Sequence, residues 1–249
     1  MAPTVDRPPA PRARAARRTA SARIAAARIA AVLLPAVLAV GCTSERFYRR
    51  AVFDAAVMEP AEALPLVLVT ADPVQVATWT PEEYLGSYPV GQTIEITWGT
   101  VWVALESEER PRCAAFPRHR LDRRLEQLLG LPPKGEPRRF VVLEVARSAL
   151  HRPCFDPDPT VDRCPLQAAP DLPPDFLDWL GRNALDSYRI PDGFPWTRLG
   201  YTYDWRPGAP EYGVSEFILL KGTNARVIAI MTAEEFCSDD DAGPGATAP

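Results

Sequence analysis

The sequence predicts an α+β domain, a largely antiparallel sheet with a few short helices, rich in loops and proline. Three observations carry that expectation. The C-terminal third alternates apolar and polar residues or runs apolar over three consecutive stretches, as strands do. Helical spacing of apolar residues occurs only in short, isolated runs such as Leu121, Leu125, Leu128 and Leu129. Residues 42–249 hold 23 of the 28 prolines, about 11% of that stretch against an average of about 5%, and few long helices survive such a density.

In chain order, residues 43 to about 60 read as a tether with a helical turn around Arg50 to Met58. Leu64 to Val69 and Val74 to Trp79 read as strands, separated by a turn at Ala71-Asp72-Pro73. Thr80-Pro81-Glu82-Glu83 has the order of a capping box with proline at the first helical position, so a short helix is expected there. Thr93 to Leu105 reads as two strands broken at Gly99. His119 to Leu129 is a helix ended by Gly130 and Pro132. Phe140 to Val145 is a continuous apolar strand, and Phe176, Leu180, Ala184 and Tyr188 place a helix over Pro174 to Tyr188. Thr197 to Trp205, Val214 to Leu220 and Arg226 to Met231 are the three C-terminal strands, the last two joined at Gly222-Thr223-Asn224. Thr232-Ala233-Glu234-Glu235 is a second capping box, opening a final short helix. Ser238 to Pro249 is acidic, then small, and is expected to be a disordered tail.

The first 42 residues have a different character. Arg12, Arg14, Arg17, Arg18, Arg23 and Arg28 precede the apolar run Ile29 to Val40, which closes in Leu38-Ala39-Val40-Gly41-Cys42. A basic, then apolar, then small-residue order is that of a secretory signal. As a helix the apolar run covers about 18 Å, short of a hydrocarbon core of about 30 Å. Arg17-Arg18 is followed by Thr19-Ala20-Ser21, without the apolar residues of a twin-arginine signal, so general secretion is expected.

Leu38-Ala39-Val40-Gly41-Cys42 resembles the lipobox of bacterial lipoprotein precursors. The resemblance implies that Cys42 receives a diacylglyceryl group and that residues 1–41 are cut away. Two or three acyl chains then hold the protein stably at a membrane. Thr43, where inner-membrane lipoproteins usually carry aspartate, implies the periplasmic face of the outer membrane. The expected organisation is a signal peptide over 1–41, a lipidated cysteine and tether over 42–60, one α+β domain over 61–237, and a tail over 238–249.

Without residues 1–41 the chain carries 21 basic and 31 acidic residues, a formal charge of −10 against −4 for the whole. An acidic domain argues against a nucleic-acid partner, which needs a basic footprint. Five cysteines leave one over. If lipid takes Cys42, then Cys113, Cys154, Cys164 and Cys237 can all pair in an oxidising compartment. Of three connectivities, Cys154–Cys164 with Cys113–Cys237 is preferred, because the first closes a short loop already stiffened by Pro157 and Pro159. No Cys-x2-Cys pair suggests zinc.

No complete catalytic constellation is visible, and no metal or cofactor is expected. His119 and His151 stand in no zinc pattern. Gly213-Val214-Ser215-Glu216-Phe217 lacks the last glycine of a nucleophile elbow, and no glycine-rich phosphate loop occurs. Asp156, Asp158 and Asp162 have the density of a calcium loop, but prolines at 157 and 159 break the order, and Asp-Pro turns explain them more simply. Arg120, Arg123 and Arg124 belong to a basic stretch over residues 110–139 that suits phosphates or an acidic partner, or is simply a solvated helix face.

The segment Phe194 to Trp205 concentrates aromatic residues, and Pro195 to Trp205 within it is faintly similar to segments of uncharacterised exported bacterial proteins, which implies no activity. Pairing of its strand with Val214–Leu220, about a loop near residue 209, would set Leu199, Tyr201, Tyr203 and Trp205 on one face. Arg198, Asp204 and Glu216 would share the other, with Trp196 at the surface. Trp196, Arg198, Asp204 and Glu216 are the candidate binding site for an envelope protein or glycan, while continuity with Phe217 and Leu219 favours core packing for the tyrosines. The alternative is a hydrolase of cell-wall or glycan substrates using Asp204 and Glu216 as an acid–base pair.

Overall fold

The computed structural model describes residues 43–238. The stretch read as an export signal, Cys42, and residues 239–249 of the stretch read as a tail lie outside the described residues. The expected fold class is the observed one. The sheet consists of β1 (Val74–Pro81), β2 (Thr93–Glu95), β3 (Val101–Leu105), β4 (Arg138–Val145), β5 (Leu150–His151), β6 (Tyr201–Tyr203), β7 (Tyr212–Leu219) and β8 (Asn224–Met231). Its order is β2-β8-β4-β1-β3-β7-β5, with β6 added on β7, and the strand pairs are antiparallel. β4 lies between β1 and β8 with apolar residues needed on both faces, which is why Phe140 to Val145 reads as a continuous apolar run.

On one face Val74, Val76, Val141, Leu143, Phe217, Leu219 and Val227 form a core closed by Tyr88 and Ile96. On the other, Ala77, Trp79, Phe140 and Val142 are covered by short helices. These are α2 (Glu106–Ala114), α3 (Leu121–Leu128) and α5 (Ala233–Phe236), while α4 (Pro174–Ser187) lays Phe176 and Leu180 against Trp196 and Ile218. Gly130 ends α3 with φ +64, and a Cβ there would sit 3.4 Å from the Tyr203 carbonyl oxygen. Both expected disulfides are present. Cys113–Cys237, with Cα atoms 5.2 Å apart, ties the end of α2 to the end of α5, and Cys154–Cys164, at 6.1 Å, closes the short proline loop. Among the described residues no helix is long and apolar enough to cross a membrane.

Several expectations are corrected. The stretch read as a tether is mostly part of the packed body: residues 43–55 are helical (α1), and Tyr48, Ala51, Val52 and Ala55 pack with Tyr203 and Trp205. The Tyr48 hydroxyl donates to the Gly193 carbonyl at 2.8 Å. Leu64 to Val69 is extended but joins no sheet, because its backbone bonds go to the disulfide loop, Leu66 N–H to Asp162 and Val69 N–H to Pro159. Thr80 lies inside β1, so its capping box does not form, and Glu82–Ser87 is a 3-10 helix without a side-chain cap. The capping box at Thr232 does form, with Glu235 N–H donating to Thr232 Oγ1 at 3.1 Å. α2 was not expected at all: Pro111 lies inside it, and only Glu109 and Cys113 of its residues are buried, which leaves no apolar period to read.

Candidate functional site: a slot between two central strands

β1 pairs with β4 along its whole length, from Val74↔Val145 to Pro81↔Arg138. With β3 it pairs only at Val76↔Leu105 and Ala77↔Ala104. Beyond that point β3 follows β7, through Val101↔Leu219 and Trp102↔Ile218, and the two central strands part. Between them lies a cavity of about 550 Å³. Its walls come from both faces of the sheet, since Val101, Val103 and Tyr88 belong to one core and Ala77 and Trp79 to the other. Trp98 and Tyr84 stand at the mouth, 48% and 56% exposed. Tyr88 meets the Trp98 ring edge-on at 5.6 Å. The far wall is braced from outside, where Trp179 Nε1 of α4 donates to Thr100 Oγ1 at 3.1 Å and the Trp179 ring packs 6.0 Å from Trp102.

Two carboxyl groups line this slot with buried oxygens that accept no hydrogen bond. Glu109, from α2, is 1% exposed, and neither of its oxygens accepts a hydrogen bond. Burial, with Glu108 and Glu106 adding repulsion, holds its carboxyl well above the usual range. Glu216 stands on β7 opposite Ala104 of β3. Its Oε2 is buried and unpartnered, and burial pushes its carboxyl up to about 8. Glu216 is therefore largely uncharged at neutral pH, and burial favours the uncharged form of Glu109; an uncharged carboxyl donates one hydrogen bond and accepts others. The indole Nε1 of Trp79 is likewise buried without a partner. The cation in the wall is already committed, for Arg138 donates to the Trp79 carbonyl at 3.0 Å and to Glu136 at 2.9 Å. Buried polar groups are ordinarily bonded, so a cluster of exceptions along one cavity makes it the candidate site.

The residues singled out from the sequence are not gathered there, Glu216 excepted. Trp196 is buried, 4% exposed, against Trp102, Trp179 and Tyr188, not at the surface. Tyr201, Tyr203 and Trp205 are core as well, so the aromatic segment offers no exposed platform. β6 does pair with β7, at Tyr201↔Ser215 and Tyr203↔Tyr212. The shared polar face of Arg198, Asp204 and Glu216 does not form, because both sides of the 201–205 segment are covered. Arg198, at φ +58, donates to the Ala56 carbonyl at 2.7 Å and lies over the Tyr188 ring. Asp204 accepts two bonds from Arg124, at 3.2 and 2.9 Å, and one from the Arg206 N–H at 3.0 Å. Arg123 bonds Glu126 at 2.9 Å and covers the Trp205 ring. Arg120 is exposed beside a shallow depression where Arg118 and Lys134 alternate with Asp122 and Glu234, so the basic stretch presents mixed charge.

Arg124 and Asp204 thus act as a buried structural ion pair, with side chains 11% and 5% exposed. Arg124→Met is expected to destabilise the domain by about 3 kcal/mol, because Asp204 is left buried and unpaired. Adding Asp204→Asn should recover part of that loss in urea unfolding. Recovery would identify the pair as structural.

Asp158 accepts from the Thr160 N–H and hydroxyl at 2.8 and 2.7 Å, the plain turn geometry. Asp54, Glu62 and Glu211 bring carboxylate oxygens within 4.8 Å of one another, a partly exposed acidic cluster in which Asp54 accepts from the Tyr203 hydroxyl. Comparison with protein-family models, with curated proteins and with solved structures finds no match. The slot was missed from sequence because Glu109 sits in a charged run that reads as solvated. One signal was present, the tryptophans at 98 and 102 flanking Gly99.

Proposed function

We propose that this chain is an exported, lipid-anchored protein of the bacterial cell envelope, held through Cys42 at the periplasmic face of the outer membrane. Its α+β domain binds an envelope protein or glycan without transforming it. The basic, apolar and lipobox-like order of residues 12–42 supports the address, and two disulfides suit an oxidising compartment. The observation that carries the binding reading is the aromatic slot with its unpartnered carboxyls. The hydrolase alternative loses support because Asp204 is saturated by Arg124 and Arg206, which leaves Glu216 without that partner.

Two substitutions separate the two halves of this reading. Cys42→Ser should abolish metabolic labelling with palmitate and release the protein from the membrane fraction, while ligand binding by the domain stays unchanged. Thr100→Trp, which adds bulk to the slot wall, should leave labelling intact and abolish binding. Labelling that persists in Cys42→Ser would refute the anchor. Turnover of cell-wall fragments by the wild type, lost in Glu216→Gln, would refute the non-enzymatic role.

A further inference from the structure

We infer that the slot between β1 and β3 takes a neutral, hydroxyl-bearing sugar ring, stacked on Trp98 at the mouth and hydrogen-bonded by the carboxyl groups of Glu216 and Glu109. This rests on the reading that the slot is a ligand site and names the class of its ligand.

The lining selects among ligand chemistries. An anion would meet two carboxyl groups with no free cation to oppose them, since Arg138 is spent on Glu136 and the Trp79 carbonyl. A fully apolar ligand would leave Glu109 Oε1 and Oε2, Glu216 Oε2 and Trp79 Nε1 as unpartnered as they are now. A cation would pair with the acids but would face the Arg138 guanidinium in the same wall and leave the Trp79 N–H unanswered. A hydroxyl is donor and acceptor at once, so it can answer a neutral carboxyl and an indole N–H together. Burial keeps Glu216 in that neutral state and favours it for Glu109. The C–H faces of a sugar ring suit the exposed indole of Trp98, and a volume of about 550 Å³ is in the range of small-ligand sites, about 300–1,000 Å³.

The test is titration of the purified domain with neutral oligomers of N-acetylglucosamine, glucose and mannose, and with trilysine as the cationic comparator, followed by tryptophan fluorescence and calorimetry. Folding of each variant is checked by thermal melting. At least one neutral oligomer should bind saturably, with affinity unchanged by added salt. Trp98→Ala should weaken it about tenfold or more. Glu216→Leu should weaken it about tenfold, whereas Glu216→Gln should stay within about threefold, because an amide still donates and accepts. Trilysine binding that disappears in salt and in Glu216→Gln would overturn the sugar in favour of a cation. If no oligomer binds, yet an envelope protein crosslinks to the slot and Thr100→Trp abolishes the crosslink, the ligand class is wrong and the binding reading stands. Loss of all slot-dependent binding overturns both.

Discussion

Replacing Cys113 and Cys237 together by serine is expected to destabilise the domain by about 5 kcal/mol, the chain-entropy value for a loop of this length. The bridge spans a sequence separation of 124 residues, so its loss returns most of the domain's chain freedom to the unfolded state. It also joins two short elements, beside the bonds that tie Glu108 of α2 to the Ser215 N–H and Arg112 to the Tyr212 and Gly213 carbonyls. α5 has 4 residues, and α2 buries only Glu109 and Cys113. Opening the bridge therefore loosens the helical layer over Trp79, Phe140 and Phe236 and lets Glu109 out of the slot. The Cys154–Cys164 bridge, with a separation of 10, should contribute about 3 kcal/mol by the same reasoning. Its removal should act mainly on the backbone contacts of Leu66 and Val69. Guanidinium unfolding of the two double-serine variants ranks them, and a larger loss from Cys154/Cys164 would contradict this assignment.

The second large effect is on pH. Glu216 is raised from an ordinary 4.5 to about 8 by burial, so between those values the unfolded chain releases this proton and the folded one keeps it. The favourable contribution is complete below the unfolded value and is lost as pH rises through the folded one. From pH 5 to pH 8 this group alone lowers stability by about 3 kcal/mol. Glu109 shifts in the same direction. His151, whose imidazole burial holds low, works the other way. The expected result is that Glu216→Gln removes the share of the fall that belongs to Glu216, so that wild type and variant converge at pH 5 and separate at pH 8, the variant being the more stable. Parallel pH profiles would contradict a buried, unpartnered Glu216. A residue that weakens the domain at neutral pH is retained more readily where it serves a ligand than where it serves packing.

How far the sequence reaches is clearest where local pattern and tertiary environment agree. β7 and β8 and the turn between them were legible from their strand-like patterns and from Gly222, which adopts φ +93. α4 was legible because Phe176 and Leu180 fall four apart and are its buried apolar residues. α1 has apolar residues at 48, 51, 52 and 55, a helical stripe, but Arg46 before them and Arg49 and Arg50 among them make the segment read as a tether. The 197–205 alternation misled in a different way. Alternation promises one wet face, yet Thr202 and Asp204 are 7% and 4% exposed, because α1 and α3 cover this segment. The slot was least legible of all. It depends on where β1 and β3 stop pairing, a property of two strands over 20 residues apart, and on Glu109, a buried charge-bearing residue that binary patterning assigns to solvent.

The most direct measurement is a 1H–15N spectrum of the indole N–H groups recorded while the neutral oligomers are added. The six tryptophans give six resonances. Trp79, Trp98 and Trp102 line the slot, whereas the Trp205 N–H is engaged by the carbonyls of Glu126 and Leu131 at 3.1 and 3.0 Å. The account predicts that Trp79, Trp98 and Trp102 shift together and saturate while Trp205 stays in place. Movement of Trp205 alone, or of no indole at excess oligomer, would contradict a sugar site between β1 and β3.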